Sequence, residues 1–123
     1  MRVKLVLIAV AGAAGALSRY WVGLQWGGRD FPWATLGINV AGSLLLGAVL
    51  KTGLERSWSD TRTLPLSVGF LGAFTTFSTF SFETQDLLRD GRPTAAATYV
   101  ALSVAGGISA AALGYALAST WAP

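Results

Sequence analysis

An all-α integral membrane fold, with four spanning helices and a break in the third, is predicted for this 123-residue chain by three features. The first is composition: 53% of residues are hydrophobic, only 12% are charged, and the mean hydropathy is +0.55, values of polytopic membrane proteins and not of soluble domains. The second is spacing. Charges gather around residues 27–32, 51–62 and 89–93, and the nearly uncharged stretches between them each reach the ~20 residues that a helix needs to cross hydrocarbon. The third is the stretch from Gly69 to Glu83, where two glycines precede phenylalanines interleaved with Ser and Thr. A helix built only to cross lipid would use Leu, Ile and Val there. One membrane domain over residues 1–123 is expected, with spans at 5–26, 33–51, 63–88 and 94–120.

Arg2 and Lys4 followed by an apolar run with Ala-Gly-Ala-Ala-Gly-Ala resemble a secretory leader, but apolar character resumes beyond Arg19 in Tyr20, Trp21, Val22 and Leu24. A retained first helix is therefore expected, with Arg19 inside it. Two roles suit that arginine: snorkelling to an interface beside Tyr20 and Trp21, or lending positive potential to an anion route. In the second span Thr35, Asn39 and Ser43 recur at i, i+4, i+8 with Gly42 alongside, a narrow polar and small face. Asn39 suits either an interhelical hydrogen bond or an N–H donor to a permeating anion.

In the third span Gly69 and Gly72, followed by Ala73 and two threonines, form an expected helix break, tolerable only where protein or water covers the freed backbone groups. At about 100° per residue, Thr76, Thr79, Phe80 and Glu83 share a face, Phe77 lies about 60° from Phe80, and Ser78 and Ser81 lie opposite. A phenylalanine ring has an electron-poor edge, so rings presented edge-on beside hydroxyls can solvate a small anion without fixed positive charge. Ordinary helix packing, with hydroxyls returned to i−4 carbonyls, is the competing account of the same residues. In the fourth span Gly106, Ala110, Gly114 and Ala118 form a small-residue seam, and Tyr99 and Ser103 share a stripe near its start.

The absence of His and Cys removes the usual nucleophiles and transition-metal ligands, no Ser is paired with a recognisable base, and an enzyme is not expected. The net charge of +3 comes from scattered residues, not from a basic stripe, so nucleic acid is not an expected partner. A proton-coupled small multidrug-type transporter would need a titratable acid within the membrane, yet all six acids lie in connections or at a span end. A non-transporting membrane assembly subunit stays open on composition.

The run Gly-Phe-Leu-Gly-Ala-Phe-Thr-Thr-Phe-Ser-Thr-Phe-Ser-Phe-Glu resembles the third-helix signature of the Fluc-type fluoride channels. Gly15-Ala-Leu-Ser-Arg-Tyr20 and Gly37-Ile-Asn-Val-Ala-Gly-Ser43 are similar to that family as well, so the likeness covers nearly the whole chain. The resemblance implies passive, highly selective export of cytoplasmic fluoride across the cell membrane by a dual-topology antiparallel homodimer with two pores. Such a pore releases an anion trapped when neutral HF crosses lipid and ionises inside. By motif position it implies that Phe77 and Phe80 turn ring edges to fluoride, that Asn39 lines the pore, and that Ser78 and Thr79 extend a polar track. Tyr99 and Glu83 occupy matching positions in the fourth and third helices, and Arg19 is an associated position. It implies too that backbone carbonyls of Gly72 and Thr75, from two subunits, hold a structural Na+. A separate observation favours dual topology: alternating spans place Arg2, Lys4, Lys51, Arg56 and Arg62 on one side against Arg29, Arg89 and Arg92, with Arg19 if it snorkels, on the other. Positive-inside bias is therefore weak, and orientation weakly specified.

Overall fold

The computed structural model describes residues 1–121 and contains only helices and their connections among them. α1 (Arg2–Trp26) and α2 (Trp33–Glu55) form an antiparallel start, joined by a turn in which Gly28 adopts a positive φ of 70° that a side chain would resist. The third passage is composite: α3 (Asp60–Leu64), a wide π-helical segment (Pro65–Leu71), α4 (Gly72–Phe74) and, after a break, α5 (Phe77–Arg89). α6 (Pro93–Trp121) returns to the starting end. Four passages, Arg2–Trp26, Trp33–Glu55, Asp60–Arg89 and Pro93–Trp121, are long and apolar enough to cross a membrane. Side-chain burial is sparse, as expected where lipid covers the outer faces.

Glycine allows two close crossings. A Cβ on Gly15 of α1 would run into the Phe70 carbonyl, and one on Gly69 would sit 2.8 Å from the Ile8 carbonyl oxygen and 3.0 Å from the Ala11 Cβ, so α1 and the π-helical segment touch backbone to backbone. On the other side of the molecule, a Cβ on Gly47 would strike the Ala111 carbonyl and one on Gly114 the Leu44 carbonyl. The seam expected on α6 is thus spent inside the chain, against α2, with Ala110, Gly114 and Ala118 buried there. Between the pairs lies a small core of Leu36, Leu87, Ala96 and Tyr99, edged by Phe31, Val40 and Phe80.

The break stands later than the glycines. Gly69 is π-helical and Gly72 keeps a helical φ of −63° and ψ of −37°, whereas Thr75 (φ −82°, ψ 157°) and Thr76 (φ −150°, ψ 116°) are extended. The physical reason is that Gly69 serves the close approach to α1, while the backbone turns where a distant side chain can take over its hydrogen bonds.

Candidate ion pathway at the helix break

That side chain is Asn39. Its Oδ1 accepts the Thr76 N–H at 2.8 Å and its Nδ2 donates to the Thr76 carbonyl at 3.0 Å, so one carboxamide satisfies both backbone groups of the most extended residue. One Nδ2 proton remains beyond these two bonds. Gly42, one turn further along α2, is small because a Cβ there would occupy the space of the Thr75 methyl.

Arg19 does not snorkel outward. Its Nε donates to the Ala73 carbonyl at 3.1 Å, at the C-terminal end of α4, where a cation complements both an orphan carbonyl and the negative end of the helix. The guanidinium also borders a hollow of about 330 Å³ shared with Thr35, Thr76 and Thr79.

The hydroxyls of the third passage divide into two sets. Thr76 caps α5: its Oγ1 accepts the Thr79 N–H at 3.2 Å, bonds Thr79 Oγ1 at 3.0 Å, and lies 3.4 Å from Ser78 Oγ. A continuous-helix projection placed Ser78 opposite Thr76. The extended Thr76 brings them together instead. Ser81 and Thr84 return their hydroxyls to the Phe77 and Phe80 carbonyls at 2.9 and 2.8 Å, the ordinary membrane-helix arrangement.

The aromatic rings form an edge-to-face series. Phe77 and Phe80 meet at 5.7 Å between centroids and 72° between planes, Phe80 meets Tyr99 at 5.2 Å and 78°, and Tyr99 meets Phe31 at 5.5 Å and 81°. Tyr99 is fully buried and its hydroxyl donates to Glu83 Oε1 at 3.4 Å, with buried Thr35 beside both groups. Glu83 in turn lines a mouth of about 280 Å³ with Arg29, Asp30, Asp86, Asp90 and Arg92. At the opposite end of the series Phe77 is 82% exposed. It borders a hollow of about 240 Å³ lined by Asn39, Gly42, Ser43, Gly72 and Thr75.

Thr75 and Gly72 have a common property. Thr76 N–H goes to Asn39 instead of the Gly72 carbonyl, and Thr79 N–H goes to Thr76 Oγ1 instead of the Thr75 carbonyl, so both carbonyls lose their helical donors beside the same hollow. Hard oxygen donors of this kind suit an alkali cation, and among the described residues no cluster of acidic, His or Cys side chains competes for one.

The series thus brings together Phe77, Phe80, Tyr99 and Glu83, with Asn39, Ser78 and Thr79 at the break, and holds Arg19 behind the Ala73 carbonyl. Phe31, Thr35 and Ser43 join them without having been singled out as site residues; for Thr35 and Ser43 the i, i+4, i+8 stripe through Asn39 was the available signal. Phe31 gave none, because it precedes α2 in a turn and only the fold carries it onto Tyr99.

The family model described as "CrcB-like protein, Camphor Resistance (CrcB)" matches residues 6–115. The chain is 48% identical over 117 residues to the "Fluoride-specific ion channel FluC 1" of Symbiobacterium thermophilum, a match covering 91% of this chain and 94% of that protein. It is 53% identical over 93 residues to the "Fluoride-specific ion channel FluC" of Solidesulfovibrio magneticus, covering 72% and 74%, and 44% identical over 117 residues to that of Thermus thermophilus, covering 93% and 94%. These relatives are named as ion channels, not enzymes. Together with the four spanning helices they make this a multi-pass protein of the cell membrane. By the extent of both matches, and in agreement with the motif in its third span, the chain belongs to the CrcB-like family that includes the FluC proteins.

Proposed function

We propose that this chain is a passive, highly selective fluoride channel, exporting the anion through two pores in an antiparallel homodimer. The carrying observation is the edge-to-face series from Phe77 through Phe80 to Tyr99, which starts at a break and leads, through the Tyr99 bond to Glu83, to a mouth lined by charged residues. Ring edges carry partial positive charge, so a small, strongly hydrated anion exchanges water for edges and hydroxyls without meeting a fixed cation that would hold it. Conduction requires such an exchange, favourable enough to enter and weak enough to leave. The hollow beside Phe77, with the freed Gly72 and Thr75 carbonyls that lipid tails cannot satisfy, supports a second copy as its cover, with each pore then lined by both chains.

The carbonyls of Gly72 and Thr75 would hold Na+ between the two copies. Bound there, the ion supplies positive charge to carbonyl oxygens that lack backbone donors. Replacing Na+ by N-methylglucamine should lower the thermal stability of the purified dimer; unchanged stability, with a continuous helix and no density at the break in a high-resolution map, removes this part of the proposal. Fluoride conduction itself is tested in liposomes with ion-selective electrodes. A fluoride gradient should collapse quickly while chloride stays nearly unmoved. Comparable chloride efflux refutes selectivity, and fluoride efflux no faster than from empty liposomes refutes the channel.

A further inference from the structure

We infer that one end of this chain is a docking surface for the headgroups of anionic phospholipids. The starts of α1 and α3 and the ends of α2 and α6 lie together there, joined by Lys4 Nζ to Asp60 Oδ2 at 3.4 Å and by Arg56 Nη2 to the Trp121 carbonyl at 3.0 Å. Five basic residues, Arg2, Lys4, Lys51, Arg56 and Arg62, face only two acids at this end, whereas the opposite end sets three basic residues against four acids. The two ends of one chain therefore differ in the sign of their charge.

Both acids at the basic end are already engaged, Asp60 by Lys4 and Glu55 by Lys51. Arg2 and Arg62 are exposed and have no carboxylate within ion-pair distance among the described residues. Arg62 is also held in place, its guanidinium 5.1 Å from the centre of the Trp58 ring, which leaves its N–H edges for an outside acceptor. A planar guanidinium matches a phosphate in two-pronged fashion. Trp58, Tyr115 and Trp121 lie near this end, and Trp and Tyr settle at headgroup level, which brings the neighbouring cations to the depth of lipid phosphates. Charge complementarity with depth selects an anionic lipid over a soluble phosphate. At the other end Arg89 is spent on Asp86 at 3.1 Å and Arg92 on the Asp30 carbonyl, which leaves exposed Arg29 as the one basic residue there without a recorded partner among the described residues, within a net negative surround.

The test is native mass spectrometry of the full chain in detergent, titrated with phosphatidylglycerol and, separately, with phosphatidylcholine. Phosphatidylglycerol should be retained more tightly, by about fivefold for each free arginine. The double variant Arg2→Gln with Arg62→Gln should lose about 25-fold of that affinity, while Arg89→Gln with Arg92→Gln, both already engaged within the chain, stays within about twofold of the parent. If the first pair fails to fold by circular dichroism, Arg2→Gln alone, which breaks no recorded contact, should still lose about fivefold. Equal retention of the two lipids, equal losses in the two variant pairs, or full displacement of lipid by soluble glycerophosphate at matched concentration would each overturn the assignment. Lipid retention is measured without fluoride, so this result and the channel proposal stand or fall separately.

Discussion

Replacing Asn39 by Ala should unfasten the break without touching the aromatic series. The two bonds it removes, at 2.8 and 3.0 Å, have the lengths of well-formed N–H···O hydrogen bonds. Each contributes about 1 kcal/mol net, and the half-buried Thr76 N–H and carbonyl, left without partners, add about 1–3 kcal/mol of desolvation cost that water in the neighbouring hollow only partly repays. Discounting for the modest strength of interhelical bonds measured in membranes leaves about 2–4 kcal/mol. At 1.4 kcal/mol per factor of ten, that raises the population of a locally opened break roughly 100-fold. Amide hydrogen exchange at Thr76, read by mass spectrometry or NMR in micelles, should therefore speed up by about that factor, with little change in the middle of α6. Asn39→Asp is the internal control, because it keeps an acceptor for the Thr76 N–H and loses only the donor to the carbonyl, so its effect should fall between parent and Ala. An Ala variant whose Thr76 exchange matches the parent would show that Asn39 does not hold the break, and the account of the freed Gly72 carbonyl would fail with it.

Phe77→Ile and Phe80→Ile should each cut fluoride flux in liposomes by about tenfold or more, about 1.4 kcal/mol of lost ion stabilisation, while Phe70→Ile, which removes a ring stacked on Phe74 at 5.8 Å, has a smaller effect; well-folded dimers with parental flux would make the rings packing only. Gly114→Ala should lower the thermal unfolding midpoint in detergent by an amount equivalent to about 1–3 kcal/mol, because its methyl would drive into the Leu44 carbonyl, whereas Gly37→Ala, whose methyl meets nothing within 4 Å, should be nearly neutral. Similar midpoints for the two would contradict the α2–α6 crossing. A cysteine replacing exposed Ser59 should be modified in intact cells to about half its total by an impermeant reagent, the outcome of dual insertion. Labelling from one side alone would leave a single orientation.

Four spanning passages were legible from the sequence because hydrophobic length and charge placement are local quantities that any bilayer-crossing helix must satisfy. The glycine seam of Gly106, Ala110, Gly114 and Ala118 and the Thr35, Asn39, Ser43 stripe were legible for a related reason, since helical periodicity puts residues on faces before any partner is known. Which partner each face meets is a different kind of fact. Only the fold turned the seam inward onto Leu44 and Gly47, placed Phe31 against Tyr99, and bound Arg19 to the Ala73 carbonyl across 54 positions of sequence. The break illustrates the division most clearly: Gly69 and Gly72 carried the local signal, yet the chain opens at Thr75 and Thr76, because Asn39, 37 residues earlier, supplies both the donor and the acceptor that an extended residue inside a membrane must find. Once Thr76 leaves the helix, the spacing that separated it from Ser78 no longer applies, and the hydroxyl cluster at the head of α5 follows from that tertiary bond pair.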